Sequence, residues 1–111
     1  MVLVPFIMIT KDLLFIPGQN KMSIININYY ELIREIKVTN SGWINGVCML
    51  NKNILFTGDD EGIIRLWKIE EDNLILISKK ENAHNDCINT LLNIGNGRIA
   101  SASDDNLIII W

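Results

Sequence analysis

The most constraining feature of this chain is an internal repeat whose two copies lie 44 residues apart. Placing residues 44–67 over residues 88–111 without gaps gives five identical pairs: Ile44/Ile88, Asn45/Asn89, Asp60/Asp104, Ile64/Ile108 and Trp67/Trp111. Each copy runs from an acidic turn through a short apolar segment to tryptophan. A period of about 40 residues is typical of stacked or circular arrays, in which a unit buries its apolar faces only against its neighbours.

A fainter third copy lies upstream at an offset of 40 residues. It places Val4 on Ile44, Phe15 on Leu55, Gly18 on Gly58 and Ile27 on Trp67. The chain is therefore predicted to be one domain, 1–111, of three units: a degenerate one at about 2–38, a second at about 44–80 and an incomplete third at about 84–111.

Short apolar runs separated by Gly, Asn, Asp or Lys predict strands within each unit. The predicted strands are Val2–Ile9, Leu13–Ile16 and Ser23–Ile27, then Ile44–Leu50, Ile54–Thr57 and Ile63–Lys68, then Ile88–Ile94, Arg98–Ser101 and Leu107–Trp111. Glu31–Val38 and Leu74–Lys79 are candidate fourth strands, although Glu31–Lys37 also has the apolar spacing of a short helix. Gly95-Asn96-Gly97 supplies the positive φ of a tight hairpin.

The third strand of the last unit, Leu107–Trp111, does not alternate between apolar and polar residues. A strand that is apolar on both faces must be covered on both faces. A β-propeller provides this cover, because each four-stranded blade lies between two others. A two-sheet sandwich would show cleaner alternation. The predicted fold class is therefore all-β, a partial β-propeller of four-stranded antiparallel blades.

Charge and cysteine usage narrow the class of protein. The chain has a net charge of −3 and a pI near 5.0, whereas nucleic-acid binding requires a basic surface. No nucleic-acid partner is therefore expected. The apolar start, 1–9, is too short to span a bilayer and has no signal-peptide features. No membrane partner is expected either. Cys48 and Cys87 lack paired spacing and are predicted to be free thiols of an intracellular protein, in the cytoplasm rather than the nucleus.

These residues resemble the WD-repeat family of β-propellers. The family motif has Gly-His, an apolar strand, Ser or Thr near the end of the second strand, Asp in the next turn and Trp closing the third strand. The third unit matches it with Ala83-His84, Ile88–Ile94, Ser101, Asp105 and Trp111. The second is a fair match, with Asn40 in place of His and Glu61 in place of Asp, and the first is degenerate.

The matching residues predict a structural hydrogen-bond network within each blade. A buried indole N–H needs an acceptor, which a hydroxyl provides while passing its own proton to imidazole. The other imidazole nitrogen then needs an acceptor such as a turn carboxylate. The expected members are His84, Ser101, Asp105 and Trp111 in the third unit, and Thr57, Glu61 and Trp67 in the second.

A catalytic triad is the alternative to this structural network. His84, Ser101 and Asp105 are the residue types of a hydrolase triad, but the grouping recurs in weakened form in the second unit and Ser101 lies in an apolar strand. No catalytic residue, cofactor or metal site is expected, because Asp59-Asp60-Glu61-Gly62 lacks calcium-loop spacing and no phosphate-binding motif occurs. The chain is predicted not to be an enzyme.

The resemblance implies a protein-interaction scaffold that binds proteins or peptides on one rim. The loops before the first strand and after the second share this rim, and its candidate residues are Ser41, Trp43, Asp60, Asn85, Cys87 and Asp104. Asp59 is expected on the same rim. Trp43 is the candidate anchor, since tryptophan is enriched at interface hot spots, although it could simply cover the loop. The acidic rim favours a basic peptide.

Three units do not close a propeller, so the chain is expected to be part of a longer protein. The alternatives are a regulatory propeller attached to a catalytic domain outside these residues, a truncated product without independent function, and a short chain that completes a ring by self-association. An isolated copy would expose apolar faces and unpaired strand edges.

Overall fold

The computed structural model describes residues 7–8, 11–38 and 42–111, and this part of the chain is all-β. Its strands are β1 (Ile7–Met8), β2 (Leu13–Pro17), β3 (Lys21–Asn26), β4 (Glu31–Lys37), β5 (Ile44–Asn51), β6 (Ile54–Asp59), β7 (Ile64–Glu70), β8 (Asn73–Lys80), β9 (Ile88–Gly95), β10 (Arg98–Ser103) and β11 (Ile108–Ile110). Glu31–Lys37 is a strand and not the alternative helix. No described helix is long and apolar enough to cross a membrane.

The strands form three antiparallel meanders. Sheet 1 contains β1–β4, sheet 2 contains β5–β8, and sheet 3 contains β9–β11, each with sequence neighbours paired. The pairing has the same frame in the two clearer repeats, since Thr57 lies opposite Val47 and Arg65, and Ser101 lies opposite Leu91 and Ile109. The expectation of an all-β fold made of four-stranded antiparallel units is thus confirmed for sheets 1 and 2.

Turn chemistry fixes the hairpin at the end of sheet 3 farthest from the rim. Asn96 and Gly97 both have positive φ, 57° and 73°, and they connect β9 directly to β10. Positive φ at both central residues is the requirement of a type I′ turn, whose twist matches that of the flanking strands. The Gly-Asn-Gly sequence therefore sets the β9–β10 register.

Sheet 2 is apolar on both faces because it is covered on both faces. One face joins sheet 1 in a core of Phe15, Met22, Ile24, Ile44, Leu55, Trp67 and Leu74. The other joins sheet 3 in a core of Cys48, Ile64, Ala83, Ile88, Leu91 and Ile99, with Leu50 and Phe56 packed beside it. Two cores on opposite sides of one sheet explain why apolar residues do not simply alternate with polar ones along its strands.

Sheets 2 and 3 approach closely at Gly58. A Cβ at this position would lie 2.6 Å from Ile88 Cγ2, in a pair of residues contributed by β6 and β9. Ile88 itself is fully buried. The glycine therefore allows the inner strands of the two sheets to pack without a gap.

The outer parts of sheet 3 are more exposed than those of sheet 2. Trp111 is 37% exposed, whereas Trp67, its partner in the repeat, is 4% exposed. Ile108 and Ile110 on β11 are also exposed. Within the described residues, sheet 3 is covered on the side that faces sheet 2.

Candidate functional site

A chain of side-chain hydrogen bonds runs through sheet 3. The Trp111 indole N–H donates to Ser101 Oγ at 2.8 Å, and Ser101 Oγ lies 2.7 Å from His84 Nε2. The other ring nitrogen, Nδ1, lies 2.9 Å from Asp105 Oδ2. Because Ser101 accepts from the indole, its proton is available to Nε2, and Nδ1–H then donates to the carboxylate. The four predicted residues are thus brought together.

Asp105 is held by its backbone surroundings as well as by the imidazole. Its carboxylate accepts from the N–H groups of Asn85 at 3.0 Å and Leu107 at 2.9 Å. Burial raises the pKa of Asp105, but the Asn85 N–H, the His84 ring and the Leu107 N–H outweigh it and hold the pKa below its usual value. The carboxylate is therefore ionised and closes the network as an acceptor.

The same position in sheet 2 contains a shorter version of this network. The Trp67 indole N–H donates to Thr57 Oγ1 at 3.0 Å, and both residues are buried. Glu61, which the repeat aligns with Asp105, is exposed and donates its backbone N–H to Asp59 Oδ1 at 2.9 Å. Thus Thr57 and Trp67 bond as expected, while the bond described for Glu61 belongs to the turn.

Sequence reasoning missed a buried ion pair between Asp59 and Arg65. Asp59 is 1% exposed and not on the open rim, so its predicted position there was wrong. One carboxylate oxygen accepts from the Arg65 guanidinium, and the other accepts from the N–H groups of Glu61 and Ile63. The available signal was a basic residue with apolar residues on both sides, six positions after an acidic residue.

The candidate rim lies where the β6–β7 and β10–β11 turns meet the starts of β5 and β9. Asp60 N–H donates to the Trp43 carbonyl, and Asp104 N–H donates to the Cys87 carbonyl, both at 3.0 Å. Asn85 and Asp104 are exposed, whereas Trp43, Asp60 and Cys87 are half-buried. Ser41, also predicted for this rim, lies outside the described residues.

Two asparagines that the sequence analysis did not assign to the site bond to the rim carboxylates. Asn45 Nδ2 donates to Asp60 Oδ1, and Asn89 Nδ2 donates to Asp104 Oδ1 at 2.6 Å. These four residues form two of the five identical pairs of the repeat. Their identity at both positions, 15 residues apart in each copy, was the signal that could have linked them.

The rim continues from sheet 2 to sheet 3. The His84 N–H donates to the Gly62 carbonyl at 3.1 Å, which joins the β6–β7 turn to the loop before β9. Gly62 has a φ of 78°, and a Cβ there would lie 2.2 Å from the His84 carbonyl oxygen. Only glycine fits this contact, so Gly62 allows the β6–β7 turn of sheet 2 to pack directly against the loop before β9.

Cys87 lies at the centre of the acidic part of the rim. Partial burial, then the charges of Asp60 and Asp86, raise the pKa of its thiol to about 11. Asp86, Cys87 and Asp104 offer ligand atoms within 4.8 Å of one another. A metal would have to displace the thiol proton, because the thiolate is the ligand form. The sequence predicts no metal site at this position. Among the described residues, these three are the group whose ligand atoms lie close enough together to hold a metal ion.

A nucleophilic role for Ser101 does not fit its surroundings. Ser101 is 0% exposed, and its hydroxyl is occupied by Trp111 and His84. A catalytic serine needs a hydroxyl that a substrate can reach. The arrangement is that of a structural network. Cys48 is buried as well, and burial raises the pKa of its thiol to about 11.

Comparisons with known proteins agree with this architecture. Residues 77–111 match the family model described as WD domain, G-beta repeat. The chain is 30% identical over 91 residues to the WD repeat-containing protein 55 homolog of Dictyostelium discoideum, a match that spans 81% of this chain and 21% of that protein. The crystal structure of the C-terminal WD40 domain of Sif2 superposes with a TM-score of 0.76 at 11% identity, over 96% of this chain and 32% of that one.

The sequence motif, the three sheets and the comparisons lead to one assignment. The structural match at low identity supports the fold, while the family model and the curated relative support the repeat type. Residues 77–111 therefore form a WD repeat of the kind that the family model describes, and the three sheets have the fold of part of a β-propeller.

Proposed function

We propose that this chain is part of an interaction scaffold that binds a protein or peptide segment across the rim of sheets 2 and 3. The WD-repeat fold generally serves as a protein-interaction scaffold. The observation that carries the proposal is the half-buried Trp43, which immediately precedes β5 and donates its backbone N–H to the Asp60 carboxylate. A rigid aromatic side chain with partial exposure is a typical interface anchor.

The chemistry of the rim favours a basic segment. Asp60 and Asp86 lie close enough to Cys87 to raise the pKa of its thiol, and Asp104 lies beside the same thiol. A lysine or arginine side chain entering this region would meet several carboxylates at once. Complementary charge of this kind raises the association rate and excludes acidic partners. The rim residues thus act in recognition, with no catalytic role.

The proposal is tested with an array of 12-residue lysine- and arginine-containing peptides, probed with the protein at its natural length. Trp43→Ala is expected to weaken the tightest peptide by about 2 kcal/mol, on the order of 30-fold in Kd. Asp104→Asn should weaken it less, and mainly at low salt, because an exposed charge acts largely through steering.

Tyr30→Ala is the matched control. Tyr30 is 92% exposed and lies in the β3–β4 turn, at the end of sheet 1 opposite the rim. Its removal should leave peptide binding unchanged. Equal affinities of the parent, Trp43→Ala and Asp104→Asn proteins for every captured peptide would contradict the rim proposal.

A further inference from the structure

Asp60 and Asp104 occupy the same position of the repeat but have different surroundings. Asp60 Oδ1 accepts from the Asn45 amide, and its Oδ2 accepts from the Trp43 backbone N–H at 3.1 Å. The described side-chain bond of Asp104 involves Oδ1 alone, with Asn89 as the donor. Both carboxylate oxygens of Asp60 are therefore engaged within sheet 2, and one of them is attached to Trp43 itself.

The bonds to Asp60 fix the backbone of Trp43 through both its N–H and its carbonyl group. Its N–H donates to the Asp60 carboxylate, and its carbonyl accepts the Asp60 backbone N–H at 3.0 Å. Trp43 also forms an antiparallel bridge with Gln19 of sheet 1. Asn45, two residues further along, holds the carboxylate that makes the first of these bonds.

We propose that Asn45 and Asp60 are positioning residues of the rim, which hold Trp43 in the orientation in which its indole meets a partner. This inference rests on the proposed rim function and changes the role of Asp60 from a contact to a support. Fixing an anchor before binding lowers the entropy lost on association, so the support contributes to affinity without touching the partner. Asp104 keeps the role of a charged contact.

The orientation of Trp43 can be observed without any partner. In protein of natural length labelled with 5-fluorotryptophan, Trp43→Phe identifies the Trp43 fluorine resonance by its loss. Asn45→Ala and Asp60→Ala are expected to shift and broaden that resonance and to leave the others unchanged. Asn89→Ala is the matched control and should leave the Trp43 resonance unaltered, because Asn89 bonds to Asp104.

Asp60→Asn separates positioning from charge. The substituted amide keeps an acceptor oxygen for the Trp43 N–H, and Asn45 can turn its own amide to present oxygen to the new NH₂ group. Positioning predicts that Asp60→Asn keeps the parental resonance and loses no more affinity for the basic peptide selected on the array than Asp104→Asn does. Asp60→Ala and Asn45→Ala should each weaken that peptide by roughly tenfold.

Two results would overturn the inference. One is an unchanged Trp43 resonance in both Asp60→Ala and Asn45→Ala. The other is equal loss of peptide affinity in Asp60→Asn and Asp60→Ala, which would make Asp60 a charged contact. Failure of the rim function is a separate result. Trp43→Ala would then leave peptide binding intact, while Asn45→Ala and Asp60→Ala would still shift the Trp43 resonance. The geometric role of Asn45 and Asp60 would stand.

Discussion

Sheets 2 and 3 place tryptophan at the same position of the repeat but surround its indole N–H with different polar groups. In sheet 3 the indole of Trp111 is joined through Ser101 and His84 to a turn carboxylate. In sheet 2 the indole of Trp67 bonds to Thr57, and a buried ion pair lies in the neighbouring positions. The common requirement is one hydroxyl that accepts the indole N–H, while the groups beyond it can be exchanged.

The alignment of the two repeats shows which residues replace one another at the β6–β7 and β10–β11 turns. It aligns Asp59 with Ser103, and each side chain accepts the backbone N–H two residues ahead, at 2.9 Å from Glu61 and 3.1 Å from Asp105. A hydroxyl does this without charge, whereas a buried carboxylate needs a cation. Arg65, aligned with Ile109, supplies that cation in sheet 2.

Removing Arg65 alone should give the largest effect. Arg65→Ile leaves the Asp59 carboxylate buried without its cation, and breaking a buried pair in this way costs about 3–5 kcal/mol. Asp59→Ser together with Arg65→Ile installs the pair that sheet 3 uses, and should recover most of the loss, because serine can still accept the turn N–H. The free energy of unfolding by urea, measured on protein of natural length, checks both values.

Arg98→Ile is the control for loss of an arginine, since Arg98 is exposed in the β9–β10 hairpin. It should change stability by less than about 0.5 kcal/mol. If the double variant is as unstable as Arg65→Ile alone, the two turns are not interchangeable and the comparison between the sheets fails at this position.

A smaller effect is expected from His84→Ala in sheet 3. The substitution removes a partner from Ser101, which is fully buried, and an orphaned buried group costs about 1–3 kcal/mol. Thermal unfolding should show the loss, while affinity for the basic peptide should stay at the parental value because the ring is itself buried. Asn85→Ala, at the exposed neighbouring position, should keep the parental melting temperature. Equal melting temperatures of His84→Ala and the parent would refute the structural role.

The sequence was sufficient for the parts of the fold that depend on local pattern. The glycine and asparagine of the β9–β10 turn predicted the hairpin, and the place of Glu31–Lys37 in the repeat predicted a strand where its own spacing allowed a helix. His84, Ser101 and Trp111 could be grouped because they match the WD-repeat motif, and their donors and acceptors can satisfy one another. These inferences need the pattern of a unit and its repetition along the chain, and no knowledge of how the units pack against one another.

What the sequence did not predict depends on contacts between turns and strands. Asp59 and Asp60 are adjacent acids, yet one is buried against Arg65 and the other bonds to Asn45 at the rim. Composition alone assigns both to a solvent-exposed turn, because it does not show which acid faces Arg65 and which faces Asn45. The difference arises from the backbone direction at the end of β6, which turns one side chain inward and leaves the next beside β5.

The smallest effect, on pH dependence, sharpens the contrast between Asp105 and Glu61. Because the folded state holds the pKa of Asp105 below 3.8, its ordinary value, the unfolded state binds the proton more readily. The stability this carboxylate contributes is thus present above that pH and is lost as the pH falls through the folded-state pKa.

The urea midpoint of Asp105→Asn should lie below that of the parent at pH 7, and the gap should narrow on acidification. Glu61→Gln is the matched substitution in sheet 2 and should keep the parental urea midpoint at pH 7, since Glu61 is exposed and bonds to Asp59 through its backbone N–H. A gap for Asp105→Asn that stays constant down to pH 2.5 would mean that the ionised form of Asp105 adds nothing, and that the two sheets differ in geometry alone.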